Sequence, residues 1–256
     1  MPTHIEPHLL LERLDEIGHS LEQSDHTLAL IGLGSVGLEL ERLDAYSDLD
    51  FFVIVEPGCK QVYLDDLQWL KSVCPIAYCF ANTGDGYKVL FADGIFCEFA
   101  VFEPDELQTI PFAPGRIVWK QPDVPATLSQ PTMVPARAAR RDPDWLLGEA
   151  LTNLLVGLAR EKRGERLSAL RFIQGYAVDR VLELADYVEV AEGVAQDAFA
   201  NERRFEQRYP GLARQVSAWL RGYEHNRESA LAILAFLEQH FQVNTDIAAA
   251  IRELCA

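Results

Sequence analysis

Apolar positions along this chain follow two rhythms. Up to about residue 120 they come in short runs, many rich in β-branched and aromatic residues, and from residue 144 onward they recur at helical spacing. Pro7–Gln23, with Leu9, Leu10 and Leu11 among acidic residues, predicts an amphipathic helix. Thr27–Gly32 is short and apolar enough for a buried strand. Phe51–Val55 reads as a second strand, stopped by Pro57-Gly58. Leu64–Val73 has apolar residues on one helical face. Ile76–Ala81, Tyr87–Phe91 and Ile95–Phe102 predict three further strands, with the Asp93-Gly94 turn making an antiparallel hairpin of the last two. Arg116–Trp119 adds a short strand.

Residues 121–143 change character, because Pro122, Pro125, Pro131, Pro135 and Pro143 interrupt regular structure. This stretch predicts a linker. Beyond it, helical periodicity covers Trp145–Leu158, Leu167–Leu184, Leu212–Phe241 and Asp246–Cys255. The expected fold is α+β: a mixed-sheet domain over residues 1–130, followed by an all-helical domain over residues 131–256.

Charge sharpens that division. The 256 residues carry 23 Lys and Arg against 39 Asp and Glu, a net charge of −16. Residues 1–130 hold 7 basic and 21 acidic side chains, a net −14, and the remainder is close to neutral. Such acidity argues against gripping a nucleic-acid backbone, whose affinity comes mainly from Lys and Arg. No run of about 18 apolar residues predicts a membrane span, and the amino terminus lacks a basic-then-apolar export signal. Five cysteines without C-x-x-C spacing suit reduced core thiols and a cytoplasmic location. The histidines show no ligand spacing beyond His4 and His8, so zinc is not expected.

Gly32-Leu-Gly34-Ser-Val-Gly37 fits the G-x-G-x-x-G pattern of dinucleotide-binding turns, with Glu56 where a ribose-binding acid would stand. The elements around it argue otherwise. The crossover after it is short and charged, a tight hairpin follows, and no βαβ units come later. A more specific pattern shares its residues. Twelve residues beyond Gly34-Ser35, Asp48-Leu49-Asp50 opens the strand ending at Val55, and positions i and i+2 of a strand project to one face. Two carboxylates there repel unless a cation neutralises them, and an all-oxygen set suits Mg²⁺. On Ile95–Phe102, Cys97, Phe99 and Val101 share a face, leaving Glu98 with Ala100 on the other. Glu98 would complete a triad if its strand lies beside that of Asp50, as a metal ligand or as a base for an attacking hydroxyl. Gly34 and Ser35 would meet phosphate through backbone N–H groups and a hydroxyl.

Leu33-Gly34-Ser35, the twelve-residue gap, Asp48-Leu49-Asp50-Phe51 and Glu98 on a later strand resemble the nucleotidyltransferase superfamily of DNA polymerase β-like fold. The likeness is nearest to lincosamide and aminoglycoside antibiotic nucleotidyltransferases. That resemblance implies Mg²⁺-dependent transfer of a nucleoside monophosphate, usually from ATP, to a hydroxyl of a small molecule, with release of pyrophosphate, and the acidity of residues 1–130 favours a cationic acceptor. The resemblance also implies a homodimer. Asp48, Asp50 and Glu98 match its carboxylates, and Gly34 and Ser35 its phosphate-contacting turn. Arg163 and Arg166, at a turn like the family's, are candidates for the triphosphate, ahead of Arg137, Arg140, Arg141 and Lys162. Competing readings are a non-catalytic module of the same fold, for which the turn's continuation Val36-Gly37-Leu38-Glu39 would allow, and AMPylation of a protein hydroxyl.

Overall fold

Helix α1 (Pro7–Glu22) buries Leu10, Leu14, Ile17 and Leu21 completely in the computed structural model, which describes residues 5–133, 141–194, 196–197 and 200–256. Their spacing of three or four residues makes one apolar stripe, and that stripe lies on a sheet. The strands are β1 (Thr27–Gly32), β2 (Leu49–Val55), β3 (Ile76–Ala81), β4 (Gly86–Phe91), β5 (Phe96–Phe102) and β6 (Arg116–Lys120). They run in the order β3-β4-β5-β2-β1-β6, with β2 and β5 parallel and every other neighbour antiparallel.

Alternation along the central strands assigns their faces. Phe51, Val53 and Val55 of β2, with Cys97, Phe99 and Val101 of β5, face the layer of α1, α2 (Lys60–Asp65) and α3 (Gln68–Lys71). Phe51 and Phe99 stack there at 5.4 Å. Phe52, Ile54, Ala100 and Phe102 face the other way, under Leu107, Phe112 and Leu128 from the segment around β6. Asp50 and Glu98 continue this second face beyond its apolar cover.

The chain divides into two units, Met1–Ala136 and Arg137–Ala256. The second contains α4 (Pro143–Lys162), α5 (Arg166–Leu170), a π-helical stretch Arg171–Ala177, α6 (Val178–Leu184), α7 (Phe205–Arg208), α8 (Pro210–Trp219), α9 (Asn226–His240) and α10 (Thr245–Cys255). Its described residues contain no strand, and its core is built on Leu151, Leu154, Leu158, Ile173, Ile233 and Leu237. No helix among the described residues is long and apolar enough to cross a membrane.

Three local expectations need correction. The helix expected over Leu64–Val73 is two short helices, α2 and α3. They part at Asp66, whose carboxylate accepts from the Gln68 N–H at 2.9 Å, the local bond by which Asp opens a turn. The run Leu212–Phe241 is likewise two helices, α8 and α9, separated by a turn where Gly222 takes φ +90°. Much of the stretch read as linker belongs to the first unit: Val124 and Leu128 pack on its core, and Gly115 N–H bonds the Ser129 carbonyl at 2.9 Å.

Arg13 of α1 ties the β4–β5 turn to the helix layer, donating to Asp93 at 2.7 Å while also meeting Glu16 at 2.8 Å. Partial burial alone would raise the Asp93 pKa, but the Arg13 hydrogen bond, the Ile95 N–H and the Arg13 charge outweigh it and hold the group below its ordinary value. A depressed carboxylate pKa contributes stability above the unfolded-state value near ~3.9, and that contribution is lost as pH falls through the folded value. Because Asp93 is substantially exposed, Asp93→Asn is expected to cost about 0.5–1 kcal/mol at pH 7 and progressively less as the pH falls below the unfolded-state value, read by denaturant unfolding at neutral and acid pH.

Candidate active site

The chain leaves β1 through a tight turn that brings backbone against the Asp50 carboxylate. Leu33 N–H donates to the Asp50 carbonyl at 2.8 Å, and Gly34–Val36 coils into one turn of 3₁₀ helix. Gly34 has φ +53°, and a Cβ built there would lie 3.8 Å from Asp50 Oδ2. The turn closes through Gly37 N–H and Glu39 N–H, both donating to the Gly34 carbonyl, and Arg116 donates to the Val36 carbonyl at 3.0 Å. A side chain on Gly32 would meet the Val36 carbonyl at 2.7 Å, and one on Gly37 would meet the Gly32 carbonyl at 2.7 Å.

The three glycines of the G-x-G-x-x-G pattern thus serve a turn folded back on its own strand. Moreover, β1 and β2 are antiparallel, which removes the βαβ crossover that a dinucleotide-binding domain requires. That alternative is overturned.

Asp50 and Glu98 are direct register partners across the parallel β2–β5 pair, so both project from the same sheet face. Asp48 stands just before β2 and is half-buried, as Asp50 is. Both aspartates act on Cys97, on the opposite face of β5: burial pushes its thiol pKa up, and the charges of Asp50 and Asp48 push it in the same direction. Ser35 is half-buried in the Gly34 turn.

The three carboxylates do not form a cluster as tight as a closed metal site. Their ligating oxygens are not all within 4.8 Å of one another, and Glu98 is held from the other side of its strand. Lys88 Nζ lies 3.1 Å from Glu98 Oε2, and Asn82 Nδ2 donates to Glu98 Oε1 at 2.7 Å. Lys88 is the register partner of Glu98 on β4, so a row runs from Phe80 through Lys88 and Glu98 to Asp50. Lys88 and Asn82 are contacts that sequence reasoning missed. One signal was available for Lys88: it is five residues before Asp93 and Glu98 five after, so a hairpin centred on that turn sets them opposite.

Asp48 and Asp50 offer the hard oxygen donors that suit Mg²⁺. Asn82 adds to this fit, because its Oδ1 is buried without a hydrogen-bond partner next to Glu98, an acceptor suited to a cation or a donor on a bound molecule. Glu98 itself is engaged by Lys88 and Asn82, one contact to each oxygen, which leaves further lone pairs on both.

The basic candidates of the helical unit are placed unequally. Arg163 caps the end of α4 with an exposed side chain. Arg166 meets Glu224 at 2.6 Å and Glu161 at 3.4 Å and lies over the Tyr223 ring. Its guanidinium pKa is raised, chiefly by the Glu224 hydrogen bond. Arg141 lies over Trp145 and 3.6 Å from Glu183. Arg137 and Arg140 lie outside the described residues.

No family model matches the sequence, and no curated protein does. Among solved structures, the chain is similar to an aminoglycoside 6-adenyltransferase from Bacillus subtilis, at 14% identity and a TM-score of 0.33 over 95% of this chain and 90% of that one. It is also similar to a STING-associated CdnE c-di-GMP synthase from Capnocytophaga granulosa, at 14% identity and a TM-score of 0.34 over 97% of this chain and 78% of that one.

The turn geometry gives a direct test. Gly37→Ala sets a methyl group against backbone atoms of Gly32 and Leu33 at 2.7–2.8 Å, and overpacking of this kind costs about 1–3 kcal/mol. Gly84→Ala, with open space at the same position, is the control. Thermal melts are expected to show a lower Tm for Gly37→Ala and little change for Gly84→Ala.

Proposed function

We propose that this protein is a nucleotidyltransferase that moves a nucleoside monophosphate, AMP from ATP, onto a hydroxyl of a small molecule and releases pyrophosphate. The observation carrying this reading is the placement of Asp50 and Glu98 as register partners on one sheet face, with the Gly34 turn beside the Asp50 carboxylate, where a side chain on Gly34 would come within 3.8 Å of it. The acceptor oxygen forms a bond to the α-phosphorus as the bond to the pyrophosphate oxygen breaks. The acceptor's proton passes to a base, for which Glu98 is the candidate.

Asp48 and Asp50 would hold Mg²⁺, which when bound supplies charge neutralisation and polarisation at the transferring phosphate. The Gly34–Val36 backbone and the Ser35 hydroxyl would meet phosphate oxygens. Glu98 orients the acceptor hydroxyl and takes its proton, releasing Lys88 to pair with a phosphate oxygen as a point charge. Arg163 is the candidate of the helical unit for the triphosphate. Arg166 would serve only by leaving Glu224 and Glu161. The surplus acids of the first unit favour a cationic acceptor, and an amine-bearing antibiotic such as an aminoglycoside or lincosamide is the class proposed. A cytoplasmic homodimer belongs to the same reading.

One observation favours a second reading, a non-catalytic module of this fold: Glu98 is engaged by Lys88 and Asn82 rather than directed at Asp48 and Asp50. Radiolabelled ATP, Mg²⁺ and a panel of aminoglycosides and lincosamides separate the two. Label is expected to move to an acceptor, and Asp50→Asn is expected to slow transfer by about 100-fold or more, the scale of losing a charge-stabilising group. Transfer unchanged in Asp50→Asn would overturn the metal assignment, and no nucleotide binding in the presence of Mg²⁺ would favour the module.

A further inference from the structure

At the other end of β1 and β2 from the Asp48–Asp50 corner, three side chains of different chemistry meet. His26 Nδ1 lies 2.7 Å from Glu56 Oε2, and the Cys59 sulfur joins them in a set whose ligating atoms are all within 4.8 Å of one another. Among the described residues, no other group of three His, Cys, Asp or Glu side chains meets this condition. Backbone bonds fix the arrangement. His26 adopts φ +68°, in the left-handed region that His enters more readily than most residues, and its carbonyl accepts from the Glu56 N–H at 2.8 Å. The Glu56 carbonyl in turn accepts from the Cys59 N–H at 3.0 Å.

We propose that His26, Glu56 and Cys59 form a Zn²⁺-binding site. An imidazole nitrogen, a carboxylate oxygen and a thiolate sulfur make a mixed donor set that suits a borderline-soft cation and does not suit Mg²⁺. Zn²⁺ bonds of about 2.0–2.3 Å in a tetrahedron set ligand atoms roughly 3.3–3.8 Å apart. The His26–Glu56 pair must therefore widen by well under ~1.5 Å, which two half-exposed side chains can do by rotation. Three protein ligands leave a fourth position for water. The His26 and Glu56 side chains are both about half exposed, so the cluster lies at the surface.

The surroundings favour a cation. Asp25, the neighbour of His26 in sequence, adds a further carboxylate nearby. Binding displaces the Cys59 thiol proton and any proton held between His26 and Glu56, so affinity rises with pH. The ion would join the residue before β1, the residue after β2 and the residue before α2, and would stabilise the folded chain by binding it preferentially.

The test uses the full chain after chelator treatment, with Co²⁺ as the spectroscopic probe. One equivalent is expected to produce sulfur-to-cobalt charge-transfer absorption and the visible bands of a tetrahedral site, both removed by Zn²⁺. Cys59→Ser is expected to abolish the charge-transfer band, and His26→Ala and Glu56→Gln to weaken Co²⁺ binding by about tenfold or more. Cys79→Ser, which alters an exposed cysteine outside the cluster, should leave the spectrum unchanged. Circular dichroism confirms that each variant is folded. Absence of the charge-transfer band in the unaltered chain, or its persistence in Cys59→Ser, would overturn the proposal and leave His26 and Glu56 as an ordinary surface ion pair.

Discussion

The parallel pairing of β2 with β5 is the constraint on which the first unit depends. These strands occupy the middle of the sheet, and each alternates large apolar residues with a second set facing the other way. Leu49, Phe51 and Val53 stand level with Cys97, Phe99 and Val101, so the burial of all six fixes the register. A slip of one residue by either strand would turn its three buried apolar side chains to the other face. With the register fixed by hydrophobic burial, Asp50 and Glu98 must face each other on the opposite side. The acids are aligned by the core behind them.

That alignment leaves Glu98 with two sets of neighbours. Asp50 stands on one side, and Lys88 and Asn82 occupy its oxygens on the other. Both members of the Lys88–Glu98 pair are more than a third exposed, so the interaction is screened and contributes roughly 0.2–1 kcal/mol. Coordination or a charge-assisted bond to phosphate exceeds that comfortably. The contact is therefore weak enough to exchange, and it also lowers the like-charge repulsion between Glu98 and the aspartates. A site of three uncompensated carboxylates would oppose folding; a lysine across one strand relieves that opposition at small cost to binding.

What was legible in the sequence follows the reach of its periodicities. The alternation in Cys97–Val101 gives face and burial directly, the apolar run Phe51–Val55 gives a buried strand, and the Asp93-Gly94 turn gives the hairpin. Breaks set by one side chain were not legible: nothing in the apolar pattern of Leu64–Val73 shows that Asp66 bonds the Gln68 N–H in preference to continuing the helix. The partners of Arg166 were hidden for a related reason, since Glu224 comes from the turn before α9, 58 residues away. His26, Glu56 and Cys59 show the limit most clearly. Their spacing matches no metal motif, and they meet only because the antiparallel β1–β2 register brings one strand's start beside the other's end.

The charge asymmetry gains a specific meaning from the same geometry. Most basic side chains of the first unit are already committed within it. Arg13 meets Glu16 and Asp93, Arg42 meets Glu39, Lys60 meets Asp85 and Glu106, and Lys88 meets Glu98. Arg116 supports the Val36 carbonyl and Lys120 the carbonyls of Gln121 and Pro122. Six of the seven Lys and Arg of residues 1–130 are thus engaged, which leaves little uncommitted positive charge for a polyphosphate, while Asp48 and Asp50 add negative charge at the site. Any triphosphate bound at the Gly34 turn must bring positive charge with it or meet charge from beyond this unit. On the proposed function, a divalent ion held by the two aspartates would satisfy that requirement. On the same reading, that acidity would favour a cation-accompanied nucleotide and a positively charged acceptor over an uncompensated polyanion.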